Sequence, residues 1–242
     1  MPDSLQIPSA ARLAPHEGIY EQLRRRIILF DLLPGETLSE NSLAADLGVS
    51  RTPIRDALAR LQDEGCIRVY PQRGTKVSHI SLERVRQAVF LTKVLEQDAL
   101  AALCAAGLSE AQIKQVSDSL ARQHRLYDAQ QFEDLLWEDC RLHAMSFEFC
   151  NQRLSWTAIR TIDCDLLRVQ FLIIRTFSYK AQMAAVSSWE SNMTEHRMIL
   201  DALRKRDSDA VYLLSDNHLG QIMWKADNLR RIYPEYFASG AE

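Results

Sequence analysis

The run from Ser39 to Val77 leaves few folds open to this chain. Ser39 is a good N-cap for a short helix carrying Leu43, Ala44 and Leu47 on one side. Gly48 suits the left-handed position that ends such a helix. Ser50 or Thr52 caps the next helix, and Pro53 falls in its first turn, where a missing N–H costs nothing. Ile54, Ala57, Leu58 and Leu61 then recur at helical spacing, while Arg51 and Arg55, four apart, project together from the outer face. Two β-prone runs, Ile67–Tyr70 and Thr75–Val77, flank Pro71-Gln72-Arg73-Gly74 and read as a hairpin. The pattern predicts a winged helix-turn-helix whose second helix suits a major groove.

The rest of the chain is different in kind. From Ser81 onward nearly every segment has helical period, with helices expected near 82–106, 109–129, 131–149, 151–176, 180–205 and 208–232 and breaks at Gly107, Asn151 and Asp207. Long helices with short connections imply an antiparallel bundle. The expected fold is therefore mainly α: an N-terminal winged helix-turn-helix over 15–78 and an all-helical domain over 79–236, with tails at 1–14 and 237–242. A helix begins near Pro15, with Ile19, Leu23, Ile27 and Ile28 as its buried stripe. Arg24, Arg25 and Arg26 lie between them, as phosphate contacts or as a solvated face.

Charge narrows how such a chain could hold a polyanion. The 242 residues carry a formal net charge of −3. Between residues 16 and 79 nine basic residues meet nine acidic ones. Affinity for nucleic acid must come from where the charges sit, not from how many there are. The five cysteines are odd in number and form no C-x-x-C pair, which suggests reduced thiols in a cytoplasmic protein. No charged-then-apolar leader and no apolar run near 18 residues suggests secretion or membrane insertion.

A second constellation lies in the helical part. Asp139 and His143 are four apart on one helix, His196 stands in Glu195-His196-Arg197-Met198-Ile199-Leu200, and His218 in Asn217-His218-Leu219. Three imidazoles and one carboxylate on three helices suit zinc or a similar divalent metal. Taken singly, each histidine is better explained as a satisfied core or surface residue than as a ligand.

The run Val49-Ser50-Arg51-Thr52-Pro53-Ile54-Arg55-Asp56-Ala57-Leu58, with Glu64-Gly65 and Gln72-Arg73-Gly74, resembles the winged-helix signature of the GntR family of bacterial transcription regulators. Asp139-x-x-Leu142-His143, Asn151, Glu195-His196-x-x-Ile199-Leu200, Asp209-Ala210 and His218-Leu219 are similar to the all-helical FCD-type effector domain of its FadR subgroup. The resemblance implies a homodimer on an inverted-repeat DNA operator, probed by Arg51, Thr52, Arg55, Arg73 and Gly74. It implies a divalent metal held by Asp139, His143, His196 and His218, with zinc first and nickel or manganese as alternatives. It also implies a small-molecule effector, an organic acid or related metabolite, and more commonly repression than activation.

One departure stands out. The subgroup pattern carries an arginine shortly before its Leu-Glu pair, and this chain has Thr92 ahead of Leu95-Glu96. Thr92 and Asn217 are the candidate effector contacts, and the effector is expected to be less acidic or gripped by the metal alone. Arg168 and Arg175 could substitute, but surface charges beside the Leu167, Phe171 and Ile174 stripe explain them as well. Two rivals are a DNA-binding protein whose metal and helical domain are purely structural, and a metal-dependent hydrolase. The second lacks a spare Glu or His as general base, a phosphate loop and a nucleophile elbow.

Overall fold

The computed structural model describes residues 18–177 and 189–239. The chain divides into two compact units, one of residues 1–80 with 235–242 and one of residues 81–234.

The first unit follows its local signals closely. Helix α1 (Ile19–Ile28) buries Leu23, Ile27 and Ile28. Strand β1 (Thr37–Leu38) precedes α2 (Glu40–Leu47), and Ser39 caps α2 by accepting from the Ser42 N–H. Gly48 ends α2 with φ +66°, a conformation costly for any residue with a Cβ. Helix α3 (Arg51–Asp63) buries Ile54, Ala57, Leu58 and Leu61. Its N-cap is Ser50, whose side chain makes no capping hydrogen bond. Strands β2 (Ile67–Tyr70) and β3 (Gly74–Val77) form the hairpin, and β1 pairs on the other side of β3, giving the antiparallel order β1-β3-β2.

One arginine expectation changes here. Arg24 is buried and its Nε lies 3.0 Å from Glu64 Oε2, so it is neither a solvated side chain nor a phosphate contact. Arg26 pairs with Asp46 at 2.7 Å. The C-terminal stretch also differs from a loose tail. Phe237 is buried and forms a bridge with Ile80, while the Tyr236 ring lies against Phe30. Residues 1–17 and 240–242, and with them the expected N-terminal tail and helix start near Pro15, lie outside the described residues.

The second unit contains α4 (Leu82–Ala106), α5 (Glu110–Asp128), α6 (Phe132–Phe149), α7 (Arg153–Arg160), α8 (Cys164–Phe177), α9 (Trp189–Lys205) and α10 (Ser208–Ile232). Side-chain caps set the starts of α4, α5 and α10. Ser81 accepts from Arg84 N–H, Ser109 and Gln112 form a reciprocal capping box, and Asp207 accepts from Ala210 N–H. The expected single helix over 151–176 is two, broken at Thr161–Asp163. Thr161 and Ile162 N–H groups turn back three residues to Ala158 and Ile159, and Asp163 precedes α8 with its carboxylate on Arg160 at 2.7 Å. The expected helix start near residue 180 lies outside the described residues. Leu100, Leu103 and Cys104 of α4 pack with Ala202, Leu203 and Val211 of α9 and α10 in one part of the core.

Arg168 is a correction. It is wholly buried beside Asp165, which also meets Arg84 at 3.2 Å and the Ser81 N–H at 3.1 Å. The pair ties the start of α4 to α8 and leaves Arg168 unavailable to a ligand. Arg175 lies over the Phe171 ring, 5.6 Å from its centre. All five cysteines are free thiols.

Candidate functional site

The first candidate site is the N-terminal end of α3. Burying Ile54, Ala57, Leu58 and Leu61 on one face leaves Arg51, Thr52 and Arg55 exposed on the other. Both arginines converge on one carboxylate that the sequence did not single out. Glu40, the first residue of α2, accepts from Arg51 Nη2 at 2.7 Å and from Arg55 Nε at 2.8 Å. These hydrogen bonds hold the Glu40 carboxyl below its ordinary range. Arg73 and Gly74 sit exposed at the hairpin tip, where Gln72 has φ +61° and Gly74 φ +85°.

The second site is buried in the helical unit. Asp139 and His143 of α6, His196 of α9 and His218 of α10 face one centre. The three histidines offer nitrogens within 4.8 Å of one another. His196 Nε2 and His218 Nε2 are 3.0 Å apart. Asp139 approaches His196 Nδ1 at 3.8 Å and His143 Nε2 at 4.0 Å.

Two further carboxylates orient the rings. Glu96 of α4 meets His143 Nδ1 at 2.6 Å, and Glu195 of α9 meets His218 Nδ1 at 2.9 Å. A carboxylate can only accept, so each Nδ1 carries the proton and each Nε2 turns toward the centre. Glu195 also accepts from Gln221 at 2.7 Å and Asn217 at 3.2 Å. Asn217 is otherwise exposed and lines neither cavity beside the histidines, so it supports Glu195 instead of facing a ligand. The Glu residues thought to be missing beside the histidines are thus present, each already paired with an imidazole. Glu195 and Glu96 were visible only as members of the Glu-His and Leu-Glu runs.

Burial leaves polar groups at this centre uncompensated. Asp139 Oδ1 and His196 Nδ1 are buried without a hydrogen-bond partner, a costly arrangement for either. Burial pushes the Asp139 carboxyl up and pushes His196 well below its usual value, with His218 and His143 adding to the latter. Burial lowers His143 too, but the Glu96 carboxylate outweighs it and raises the ring to about 9. Two nitrogens each about 2.0–2.1 Å from one ion lie roughly 3 Å apart in a cis arrangement, which the His196–His218 separation matches. The donor set is therefore one that could hold a divalent metal, with Asp139, His143, His196 and His218 as ligands.

Thr92 is buried, its Oγ1 has no partner, and it lines a small cavity with Asp139 and His143. Lys93 is engaged elsewhere, 2.5 Å from Asp216. One unexpected cation is close. Lys225, two turns beyond His218 on α10, is buried, and its charge acts on both Glu195 and Asp139. Burial lowers its ammonium, with those carboxylates opposing the shift.

Two family models match this chain: the gntR family of bacterial regulatory proteins over residues 15–77 and the FCD domain over residues 88–221. The chain belongs to the GntR family. It is a transcription regulator of that family with an FCD effector domain, and not an enzyme. The chain is 30% identical over 223 residues to the HTH-type transcriptional repressor RspR of Escherichia coli strain K12, with 92% of this chain and 93% of the relative covered. It is 33% identical over 224 residues to an HTH-type transcriptional regulator in an unstable DNA locus of Streptomyces ambofaciens, covering 92% and 89%. Among solved structures, Escherichia coli McbR/YncC superposes with a TM-score of 0.67 at 19% identity, covering 90% of this chain and 96% of that one. A GntR transcriptional regulator from Rhodococcus superposes at 0.64 with 20% identity, covering 87% and 95%. The two structural likenesses speak for the fold alone. Among the described residues no helix is long and apolar enough to cross a membrane.

Proposed function

We propose that this GntR-family regulator is a cytoplasmic, ligand-responsive repressor that binds an inverted-repeat operator as a homodimer. Residues 15–78 lie in the DNA-binding unit, to which residues 235–239 also belong, and residues 81–234 form the sensing and dimerisation domain. Arg51, Thr52 and Arg55 read bases or adjacent phosphates from α3, and Arg73-Gly74 places the hairpin at the minor groove. A single winged helix reads too few base pairs for a genome, and two-fold pairing doubles them. Similarity to a protein named as a repressor supports repression over activation.

Asp139, His143, His196 and His218 hold a divalent ion, zinc first, with nickel or manganese as alternatives. The observation that carries this is the convergence of three imidazoles with nitrogens within 4.8 Å of one another, two of them with Nδ1 pinned by a carboxylate, beside the buried Asp139 carboxylate whose Oδ1 has no hydrogen-bond partner. When bound, the ion would supply a Lewis-acidic point beside which a small-molecule effector is recognised. The chain itself orients the rings, excludes water and balances charge. Covalent routes lead from this site to the DNA-binding unit at both ends. Helix α4, bearing Thr92 and Glu96, follows directly on Ile80, and α10, bearing His218, leads through Pro234 into the segment 235–239 of the first unit.

A duplex selected from a random pool by the purified protein provides the probe. Chelation of the wild type, and separately His196→Ala, is expected to leave binding to that duplex intact, lower thermal stability and abolish release by any effector found in a metabolite screen. Release that persists unchanged in metal-free protein would make the metal structural or absent and move sensing elsewhere.

A further inference from the structure

A cavity of about 60 Å³ opens beside the histidines, away from Thr92. At about 10–15 Å³ per water it holds roughly four to six water-sized groups. One end is formed by His143, His196, His218 and Glu96, and the walls are mainly aliphatic and aromatic, with Leu100, Leu103, Phe149 and Ile199 among them. Two serines also line it, but both hydroxyls are already committed. Ser146 donates to the His143 carbonyl at 2.7 Å and Ser215 to the Tyr212 carbonyl at 3.0 Å. No lysine or arginine lines it among the described residues. Two polar atoms of its lining residues are buried and unbonded: His196 Nδ1, which lies 3.8 Å from Asp139, and Glu96 Oε2, on the carboxylate whose other oxygen holds His143.

Charge narrows the ligand further. Glu96, Asp139 and Glu195 are three carboxylates at this centre, and one divalent ion together with Lys225 neutralises them. An anionic ligand would add an uncompensated charge to a buried site and face Glu96 directly, at a cost that rises as water is excluded. A hydroxyl adds no charge and can donate to Glu96 Oε2. Several hydroxyls would strand all but one against hydrocarbon.

Resting on the sensing role proposed above, we infer that this cavity takes a small uncharged hydrocarbon ligand bearing one hydroxyl, of roughly four to six non-hydrogen atoms. The hydroxyl donates to Glu96 Oε2 at the histidine end, and the hydrocarbon lies among Leu100, Leu103, Phe149 and Ile199. Polyhydroxy acids and polycarboxylates are excluded by the same walls and the same charge balance.

The test uses the full chain loaded with Zn²⁺ and four probes: 3-methyl-1-butanol, 3-methylbutanoate, erythritol and citrate. Calorimetry gives the affinities and thermal unfolding the shifts. The alcohol is expected to bind at least about tenfold more tightly than the isosteric carboxylate and to raise the melting temperature by about 5–10 °C near 100-fold excess over its Kd. Erythritol and citrate are expected to do neither. Leu103→Phe and Ile199→Phe, each checked for retained helix content, fill the cavity from two sides and should each abolish the alcohol's effect while retaining Zn²⁺ binding. Equal or tighter binding of the carboxylate, or of citrate, overturns the inference. So does failure of the alcohol to bind a chain that does bind Zn²⁺, and that result leaves the metal centre standing. Alcohol binding by a chain that takes up no Zn²⁺ would instead sink the metal centre and leave the cavity's ligand class intact.

Discussion

Glu40 and Glu195 each gather several nitrogen donors, and their surroundings give the two carboxylates opposite work. Glu40 holds Arg51 and Arg55 at the surface. Glu195 holds His218, Gln221 and Asn217 at the wall of a buried centre. Exposed ion pairs contribute little to stability, because water and salt compete for both partners. Glu40 can therefore keep the two arginines extended on one side of α3 and yield them to phosphates or base edges at small cost. Buried carboxylates have no competing solvent, so Glu195 and Glu96 fix ring tautomers and leave Nε2 atoms pointing at one another. The same pairing chemistry prepares a replaceable contact in one unit and a fixed donor set in the other.

The sharpest way to break this contrast is to remove a buried partner. Asp165→Ala takes a buried carboxylate away from Arg168, Arg84 and the Ser81 N–H, and breaking a buried pair costs about 3–5 kcal/mol. For a chain of this size that lowers the melting temperature by roughly 6–20 °C, measurable by calorimetry. A shift no larger than that of an exposed control such as Asp118→Ala would contradict the buried role. Next in size is Glu195→Ala, which frees the His218 ring. Loss of such an outer partner weakens metal affinity by about 10–100-fold. Competition titration against a chromophoric chelator measures it, and unchanged affinity would show that Glu195 does not orient a ligand.

At the surface, Arg55→Ala should cost about 1–3 kcal/mol of discrimination between the selected duplex and a scrambled one. Its melting temperature should stay at the wild-type value, and full discrimination by the folded variant would remove α3 from the interface. Glu40→Gln is expected to have the smallest effect. Stability should not change measurably, while binding to nonspecific duplex rises because the arginines lose their resident anion. Anisotropy at two salt concentrations separates this from a folding effect, and a drop in nonspecific binding would show that Glu40 chiefly positions the arginines.

What could be read from the sequence alone was what depends on near neighbours. Ser39, Gly48 and the Ile54–Leu61 periodicity determine the helix-turn-helix within a few residues, and each cap acts across three positions. Asp139 and His143 share a helix face through their spacing. The partners of the histidines were not legible. Glu96 reaches His143 across 47 residues and Glu195 reaches His218 across 23, separations that only packing brings together. Arg168 looked like a surface charge because its anion, Asp165, sits one turn away within an apolar stripe that gives no sign of being buried on all sides. Lys225 was invisible for the same reason. The break at Thr161–Asp163 was missed because Thr and Ile allow helix as readily as a turn, and Asp163 marks a start only once its carboxylate has found Arg160.

The most direct test of the account is a calorimetric titration of Zn²⁺ into the chelator-stripped full chain at neutral pH, run beside His196→Ala. The account expects one ion per chain in the wild type, a raised melting temperature on binding, and loss of both in the variant. A wild-type chain that takes up no ion, or a His196→Ala chain that binds it as tightly as the wild type, would contradict it.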